Sequence, residues 1–231
     1  MRTFILILTM ISMSVQAQTE NVINSGNSKL FYRIFGKGKP MLIINGGPGM
    51  NSDGFSGIAQ TLTQYDFQTI TYDQRGTGKS TLEPLDSKTI TMDLMVEDME
   101  NLRRHLNIEK WTILGHSFGG IMATYYATKY PERIEKLILS SSGGINMDFT
   151  SYVAKRQQDN LTEMQRDSLA YYQKKQNHGD TSIETRKGRT KYLAFAYVYN
   201  QSNAPIIAER LQQFNAEINR LVIQDLFKIK Y

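Results

Sequence analysis

Ser117 is the residue of this chain whose setting is best suited to nucleophilic chemistry. It lies in the segment WTILGHSFGG (residues 111–120), an apolar run followed by a serine with glycine two positions before it and two after it. A serine hydroxyl attacks a carbonyl only when it is held exposed beside a base, and a sharp turn from strand to helix provides that exposure. Residues 121–127 have a helical pattern, so the turn predicts Ser117 at a helix N-terminus, where negative charge is stabilised. The alternative is a glycine-rich turn with an incidental serine.

A second glycine-rich segment follows a buried-strand pattern at residues 41–45. Residues 46–49 read Gly-Gly-Pro-Gly, which ends the strand and leaves backbone N–H groups accessible. In acyl transfer, such a loop places one N–H opposite the N–H of the residue after the nucleophile. We therefore predict that Gly47 and Phe118 form an oxyanion hole, the alternative being an ordinary turn.

Three segments in this order resemble the prolyl iminopeptidase branch of the α/β-hydrolase family: NGGPGM (45–50), YDQRGTGKS (72–80) and GHSFGG (115–120). The resemblance extends over about residues 28–142. It implies an α/β-hydrolase sheet under a helical cap, and removal of an N-terminal residue, often proline, from short peptides through an acyl-enzyme on Ser117. Relatives hydrolyse other amides and esters. The family usually has His where this chain has Asn45, which puts any side-chain role at that position in doubt.

The middle segment does not support a nucleotide site. Residues 78–80 resemble the end of a phosphate-binding loop, but Asp73 stands where that motif needs glycine. The resemblance implies a structural loop beside the active site instead. Arg75 in this loop either contacts substrate or forms a salt bridge that holds the loop. We expect no cofactor and no metal ion.

The remaining pattern alternates strands and helices, as a mostly parallel sheet requires. It predicts six strands, with helices at 52–64 and after an N-cap at Thr91. The six strands are predicted at residues 20–23, 30–35, 41–44, 67–72, 111–114 and 134–139. From residue 144 the pattern becomes helical, with helices predicted at 152–160, 161–176, 191–200 and 204–227. This predicts a core at 18–143 and a cap at 144–231.

The cap of the resembled family carries a carboxylate that pairs with the free amine of the substrate. Glu217 is the candidate for this role, with Glu209 and Asp225 as competitors. For any one of them the alternative is an exposed, solvated carboxylate.

The general base that Ser117 needs is missing from the pattern. In α/β-hydrolases the acid and the histidine follow the cap, whereas this chain has only His105, His116 and His178. His105 precedes the nucleophile, His116 should point away from it, and His178 lies in a polar loop of the cap. We therefore expect a fold without its C-terminal strands and a truncated, exported serine hydrolase. The alternatives are a non-catalytic binding module with a degenerate pocket, or an esterase or amidase of the same fold.

The composition and the N-terminal sequence indicate where the protein is located and which partners it binds. Hydrophobic residues make up 40% of the 231 residues, and the net charge of +5 is scattered, which argues against a nucleic-acid surface. A positive charge, an apolar run of about a dozen residues and small residues near Ala17 predict a signal peptide at 1–17, hence export without stable membrane insertion. With no cysteine, packing alone must stabilise the exported chain. The expected partner is a small peptide or another small acyl substrate. We also expect the uncovered edge of the sheet to make the chain poorly soluble.

Overall fold

The computed structural model of the protein describes residues 18–144 and 149–229. The predicted signal peptide, residues 1–17, lies outside the described residues.

The centre of the fold is a mixed sheet of the strands β1 Thr19–Ser25, β2 Ser28–Phe35, β3 Lys39–Ile44, β4 Phe67–Tyr72, β5 Thr81–Leu82, β6 Trp111–His116 and β7 Ile134–Ser140. Its strand order is β1-β2-β4-β3-β6-β7, with β5 beside β2. All six predicted strands form, and the pairings β4-β3, β3-β6 and β6-β7 are parallel. A seventh strand, β5, was not predicted because it has only two residues and forms through its pairing with β2.

Three helices connect the strands: α1 Ser56–Leu62, α2 Met92–His105 and α3 Phe118–Lys129. The predicted N-cap at Thr91 is confirmed, because its side chain accepts a hydrogen bond from the Leu94 N–H. The helix predicted at residues 52–64 is α1 flanked by two short 3-10 turns.

Five further helices follow residue 148, and we call them the C-terminal helices: α4 Phe149–Asp159, α5 Glu163–Asn177, α6 Ile183–Ala196, α7 Ala204–Leu211 and α8 Ala216–Leu226. Two of the predicted helices differ most from the structure. Helix α6 begins at Ile183 instead of 191, since Ser182 caps it, and the single helix predicted at 204–227 is two helices. The break occurs because the Asn215 side chain accepts from the N–H groups of Glu217 and Ile218 and so starts α8 anew. None of the helices described is both long enough and apolar enough to cross a bilayer.

Two apolar clusters cover the two faces of the sheet. The larger lies under α2, α3 and α8, around Trp111, Met99 and Leu221, and the smaller lies under α1 around Phe35 and Ile43. The strands β3 and β6, which precede the two glycine-rich segments, are buried almost throughout. Packing on both faces therefore holds the carboxyl ends of these strands, and with them the starting points of both glycine-rich segments.

Strand β7 is the exception to this burial. Among the described residues it pairs only with β6, and its apolar side chains Leu137, Ile138 and Leu139 are 37%, 40% and 50% exposed. The predicted uncovered edge of the sheet is confirmed for the described part of the chain.

Candidate active site

Ser117 forms the turn between β6 and α3 and has a backbone conformation that residues with side chains rarely adopt. Its φ is 53° and its ψ is −121°. The surrounding structure holds this geometry: Ser117 N–H donates to the Ser140 carbonyl at 3.1 Å, and Ser117 C=O accepts from Gly120 N–H at 3.0 Å. Strained residues persist only where their surroundings determine them fully, and they concentrate at functional sites.

The glycine two positions after Ser117 lets α3 approach the sheet closely. A Cβ on Gly119 would overlap the Ile44 carbonyl oxygen, nearer than any side chain tolerates. The helix N-terminus therefore abuts the end of β3, from which residues 46–49 emerge. We call residues 46–49 the glycine-proline loop.

The glycine-proline loop lies directly against the serine turn. A Cβ on Gly46 would stand 2.7 Å from the Ser117 Cβ, so the two backbones are in contact there. The N–H groups of Gly47 and Phe118 donate no hydrogen bond to any residue that the structure describes. Two free amides thus belong to the two segments that meet at Ser117, which is the juxtaposition an oxyanion hole requires. The role itself stays a prediction for both residues.

The Ser117 hydroxyl has no hydrogen-bond partner among the described residues, and none of the three histidines bonds to it. His105, at the end of α2, lies 3.2 Å from the Tyr32 hydroxyl. The His116 ring packs against Phe55, with 5.5 Å between the ring centroids. His178 is exposed, with its Nδ1 atom 2.7 Å from the carbonyl oxygen of the preceding helical turn. The described residues therefore supply no general base to Ser117.

Arg75 holds the loop between β4 and β5 and is not available to a substrate. Its side chain is 2% exposed, and its Nε and Nη2 atoms each donate to Asp98 at 2.7 Å. Further bonds run to the carbonyls of Thr89 and Leu94. Of the two alternatives for Arg75, the salt bridge is confirmed.

The neighbouring Asp73 connects this loop to the segment that follows the glycine-proline loop. Its Oδ1 atom accepts from the Ser52 N–H at 2.8 Å and from the Ser52 hydroxyl at 2.7 Å. Its Oδ2 atom accepts from the Lys79 N–H at 2.8 Å. The segment YDQRGTGKS is thus fastened by one buried carboxylate to the chain that leaves NGGPGM.

Residues of the C-terminal helices α7 and α8, and the residue that precedes α8, bond to the glycine-proline loop and to the residues after it. The Asn215 N–H donates to the Gly49 carbonyl at 2.9 Å, and the Asn219 side chain donates to the Pro48 carbonyl at 3.0 Å. From α7, Arg210 donates to the Asn51 side chain at 3.1 Å. Motif reasoning missed these three residues, although Asn215 shows a recognisable N-cap pattern before α8.

The carboxylates proposed for amine recognition have different surroundings. Glu217 lies in the first turn of α8, about half exposed, where Arg220 donates to both of its oxygens at 2.5 and 3.0 Å. These bonds lower the pKa of the Glu217 carboxyl, since they stabilise its charged form. Asp225 instead accepts from the Met92 N–H at the start of α2, and Glu209 is exposed on α7. The amine-binding role of Glu217 stays a prediction.

The site is built from backbone amides and one hydroxyl. In the described ranges, no three His, Cys, Asp or Glu side chains form a cluster that could hold a metal ion.

A family model described as the alpha/beta hydrolase fold matches residues 39–214. The chain belongs to the alpha/beta hydrolase family. Within it, this chain is similar to proline iminopeptidases. It is 38% identical over 133 residues to a putative proline iminopeptidase of Mycoplasma genitalium, a match that covers 55% of this chain and 41% of that protein. It is 35% identical over 129 residues to a proline iminopeptidase of Lactobacillus delbrueckii subsp. bulgaricus, covering 54% and 44%.

Solved structures agree on the fold. The proline iminopeptidase of Mycobacterium smegmatis superposes on this chain with a TM-score of 0.65 at 20% identity, covering 88% of this chain and 69% of that one. A proline iminopeptidase-related protein of Thermus thermophilus gives a TM-score of 0.53 at 26% identity, covering 62% and 50%. In sequence, the matches to the two curated relatives described above span less than half of each relative's length.

Proposed function

We propose that this protein is an exported serine hydrolase of the proline iminopeptidase type. The observation that carries the proposal is the strained turn at Ser117, whose hydroxyl lies beside the glycine-proline loop; neither this hydroxyl nor the Gly47 N–H bonds to any residue that the structure describes. The relatives named proline iminopeptidases support the substrate class, an N-terminal residue in amide linkage to a short peptide.

In the proposed reaction the Ser117 oxygen attacks the carbonyl carbon of the amide while a base takes the hydroxyl proton. The carbonyl oxygen becomes an anion, which the N–H groups of Gly47 and Phe118 stabilise. Collapse of this intermediate expels the amine, which takes up the proton, and leaves an acyl-enzyme that water hydrolyses.

The triad acid and base of this proposal lie outside the described residues. Two observations support that: no described histidine bonds to Ser117, and the matched region covers under half of the curated relatives. The nucleotide sequence after the Tyr231 codon tests it. An open frame that encodes further strands with Asp and His supports the proposal, whereas a stop codon favours the alternative of a binding module.

Activity is tested with L-proline p-nitroanilide and, as an ester without a free amine, p-nitrophenyl acetate. In the protein translated from the whole reading frame, with the acid and base included, we expect hydrolysis of the anilide, and we expect Ser117→Ala in that protein to abolish it. Hydrolysis of the ester alone would favour the esterase of the same fold, and binding without hydrolysis of either would favour the binding module.

The role of Glu217 is tested with the same two substrates. Loss of a carboxylate that pairs with the amine should raise KM for the anilide about tenfold in Glu217→Gln, and leave the ester unaffected. Glu209→Gln, a matched change on α7, is the control. Equal effects of the two variants would contradict the assignment.

Export is tested on the mature N-terminus. Mass spectrometry of the protein purified from its native cells should show a chain that begins after Ala17. An intact Met1 on a cytoplasmic protein would contradict it.

A further inference from the structure

Asn45 is a buried polar side chain that the proposed mechanism does not use. It follows β3 directly and is 1% exposed. Its Nδ2 atom donates to the Gly46 carbonyl at 3.1 Å and to the Met50 carbonyl at 3.0 Å. Because both partners are carbonyl oxygens, which only accept, the amide nitrogen must be the atom that faces them. The orientation of the side chain is thereby determined.

The hydrogen bond to the Gly46 carbonyl matters because of the N–H that shares its peptide unit. A peptide unit is planar, so the C=O of Gly46 and the N–H of Gly47 point in opposite directions and turn together. An anchor on the carbonyl oxygen therefore fixes the direction of the Gly47 N–H, which is the predicted oxyanion donor.

This peptide unit is free to rotate if it is not anchored. It lies between two glycines, and Gly47 already has a φ of 68°, so no Cβ opposes a flip of the plane. A flipped unit would turn the Gly46 carbonyl toward the position that the Gly47 N–H now serves. A carbonyl dipole there would repel the anion that the site is meant to stabilise.

The bonds on either side of this unit hold the rest of the loop. The Asn45 carbonyl accepts from the Gln74 side chain at 3.2 Å, and the Gly47 carbonyl accepts from the Met50 N–H at 2.8 Å. Neither of these bonds acts on the unit between Gly46 and Gly47. Among the described residues, only Asn45 does.

We propose that Asn45 is a positioning residue that holds the Gly46–Gly47 peptide unit with its N–H directed to the oxyanion position. The inference rests on the proposed function, because it assigns Asn45 a part in that hydrolysis. It also gives the side chain at position 45 a role, in addition to the role of the backbone N–H groups of the loop.

Two variants, made in the protein translated from the whole reading frame, test it kinetically. Asn45→Ala removes the anchor, and Asn45→Asp keeps the shape of the side chain but presents oxygens to the two carbonyls. We expect kcat to fall about 10- to 100-fold in Asn45→Ala and further in Asn45→Asp, while KM changes less than about twofold. Where the alanine variant does not fold, the isosteric variant serves alone.

Thr69→Val is the matched control. Thr69 is also buried in the sheet, and its side chain donates to the Ala59 carbonyl at 2.9 Å, remote from the glycine-proline loop. The control loses a buried side-chain hydrogen bond to backbone and should keep its kcat. An equal loss of kcat in Thr69→Val and Asn45→Ala would overturn the proposal.

A second measurement does not depend on turnover. The residual dipolar coupling of the Gly47 N–H reports the direction of that bond, and we expect it to change in Asn45→Ala but not in Thr69→Val. An unchanged coupling in Asn45→Ala would overturn the inference. If the unaltered protein shows no hydrolysis that depends on Ser117, the proposed function fails, while the coupling still decides whether Asn45 orients the loop.

Discussion

Because the backbone at Ser117 is strained, we predict that replacing this serine by glycine stabilises the protein, although the substitution also removes the hydroxyl. A φ of 53° with a ψ of −121° lies in a region open almost only to glycine, and such a conformation costs about 1–3 kcal/mol. Glycine adopts this conformation without that cost, but its greater backbone freedom stabilises the unfolded chain by about 0.4–1 kcal/mol. The net effect expected for Ser117→Gly is a gain of about 1 kcal/mol in the free energy of unfolding.

Ser117→Ala is the comparison that isolates the backbone term. It keeps the Cβ and therefore the strain, and it loses a hydroxyl that bonds to no described residue, so its stability should stay near that of the unaltered protein. Urea denaturation measures the difference as a shift in midpoint at constant slope. In a thermal melt, a gain of about 1 kcal/mol in a chain of this size raises Tm by about 2–4 °C.

A control at an ordinary helical position excludes a general benefit of glycine. Ala127→Gly in α3 should lower stability by about 0.5–1 kcal/mol. If Ser117→Gly were no more stable than Ser117→Ala, the serine turn would not be strained, and its backbone conformation would give no indication of function.

Three further predictions concern the elements around the site. Arg75→Met leaves the Asp98 carboxylate buried without its partner and should lower the free energy of unfolding by about 3–5 kcal/mol in urea; a loss under about 1 kcal/mol would show that the pair does not hold the loop. Gly119→Ala places a methyl against a β3 carbonyl and should unfold at a lower urea midpoint than the unaltered protein. Gly57→Ala, where a Cβ meets nothing within 4 Å, should be neutral or more stable, and similar midpoints for the two variants would contradict the close approach. The uncovered strand β7 predicts that copies of the chain associate through this edge of the sheet. Leu139→Lys places a charge there and should reduce the self-association measured by sedimentation velocity. Unchanged self-association would show that the copies do not meet at β7.

Much of the sheet could be predicted because its signals are local. Buried parallel strands are mostly apolar runs, so the strands β3 and β6 were found to within two residues at either end. Strand β4 was also located, although its sequence FQTITY contains three polar residues. The N-cap at Thr91 was found for the same reason, since its partner is three residues away. Strand β5 has no such signal, because two residues become a strand only through pairing with β2.

The C-terminal helices show the limit of local patterns. The interruption between α7 and α8 contains neither glycine nor proline, and it arises where Asn215 bonds at once to its own helix and to the Gly49 carbonyl. A helical period that continues across such a break gives no warning of it. The contacts of Arg210 and Asn219 with the glycine-proline loop and the residues after it were invisible for a related reason, since they join residues far apart in the chain.

The sequence by itself determined that a serine stands in a glycine-flanked turn, that a Gly-Gly-Pro-Gly loop precedes it, and that strands and helices alternate around both. These follow from spacing and from the conformations that glycine and proline permit. Only the tertiary structure decided that the glycine-proline loop touches the serine turn, that Arg75 forms a salt bridge with Asp98, and that the Asn45 amide faces two carbonyls. Each of these depends on the direction of a side chain or a peptide plane after the strands have packed, which residue order does not specify.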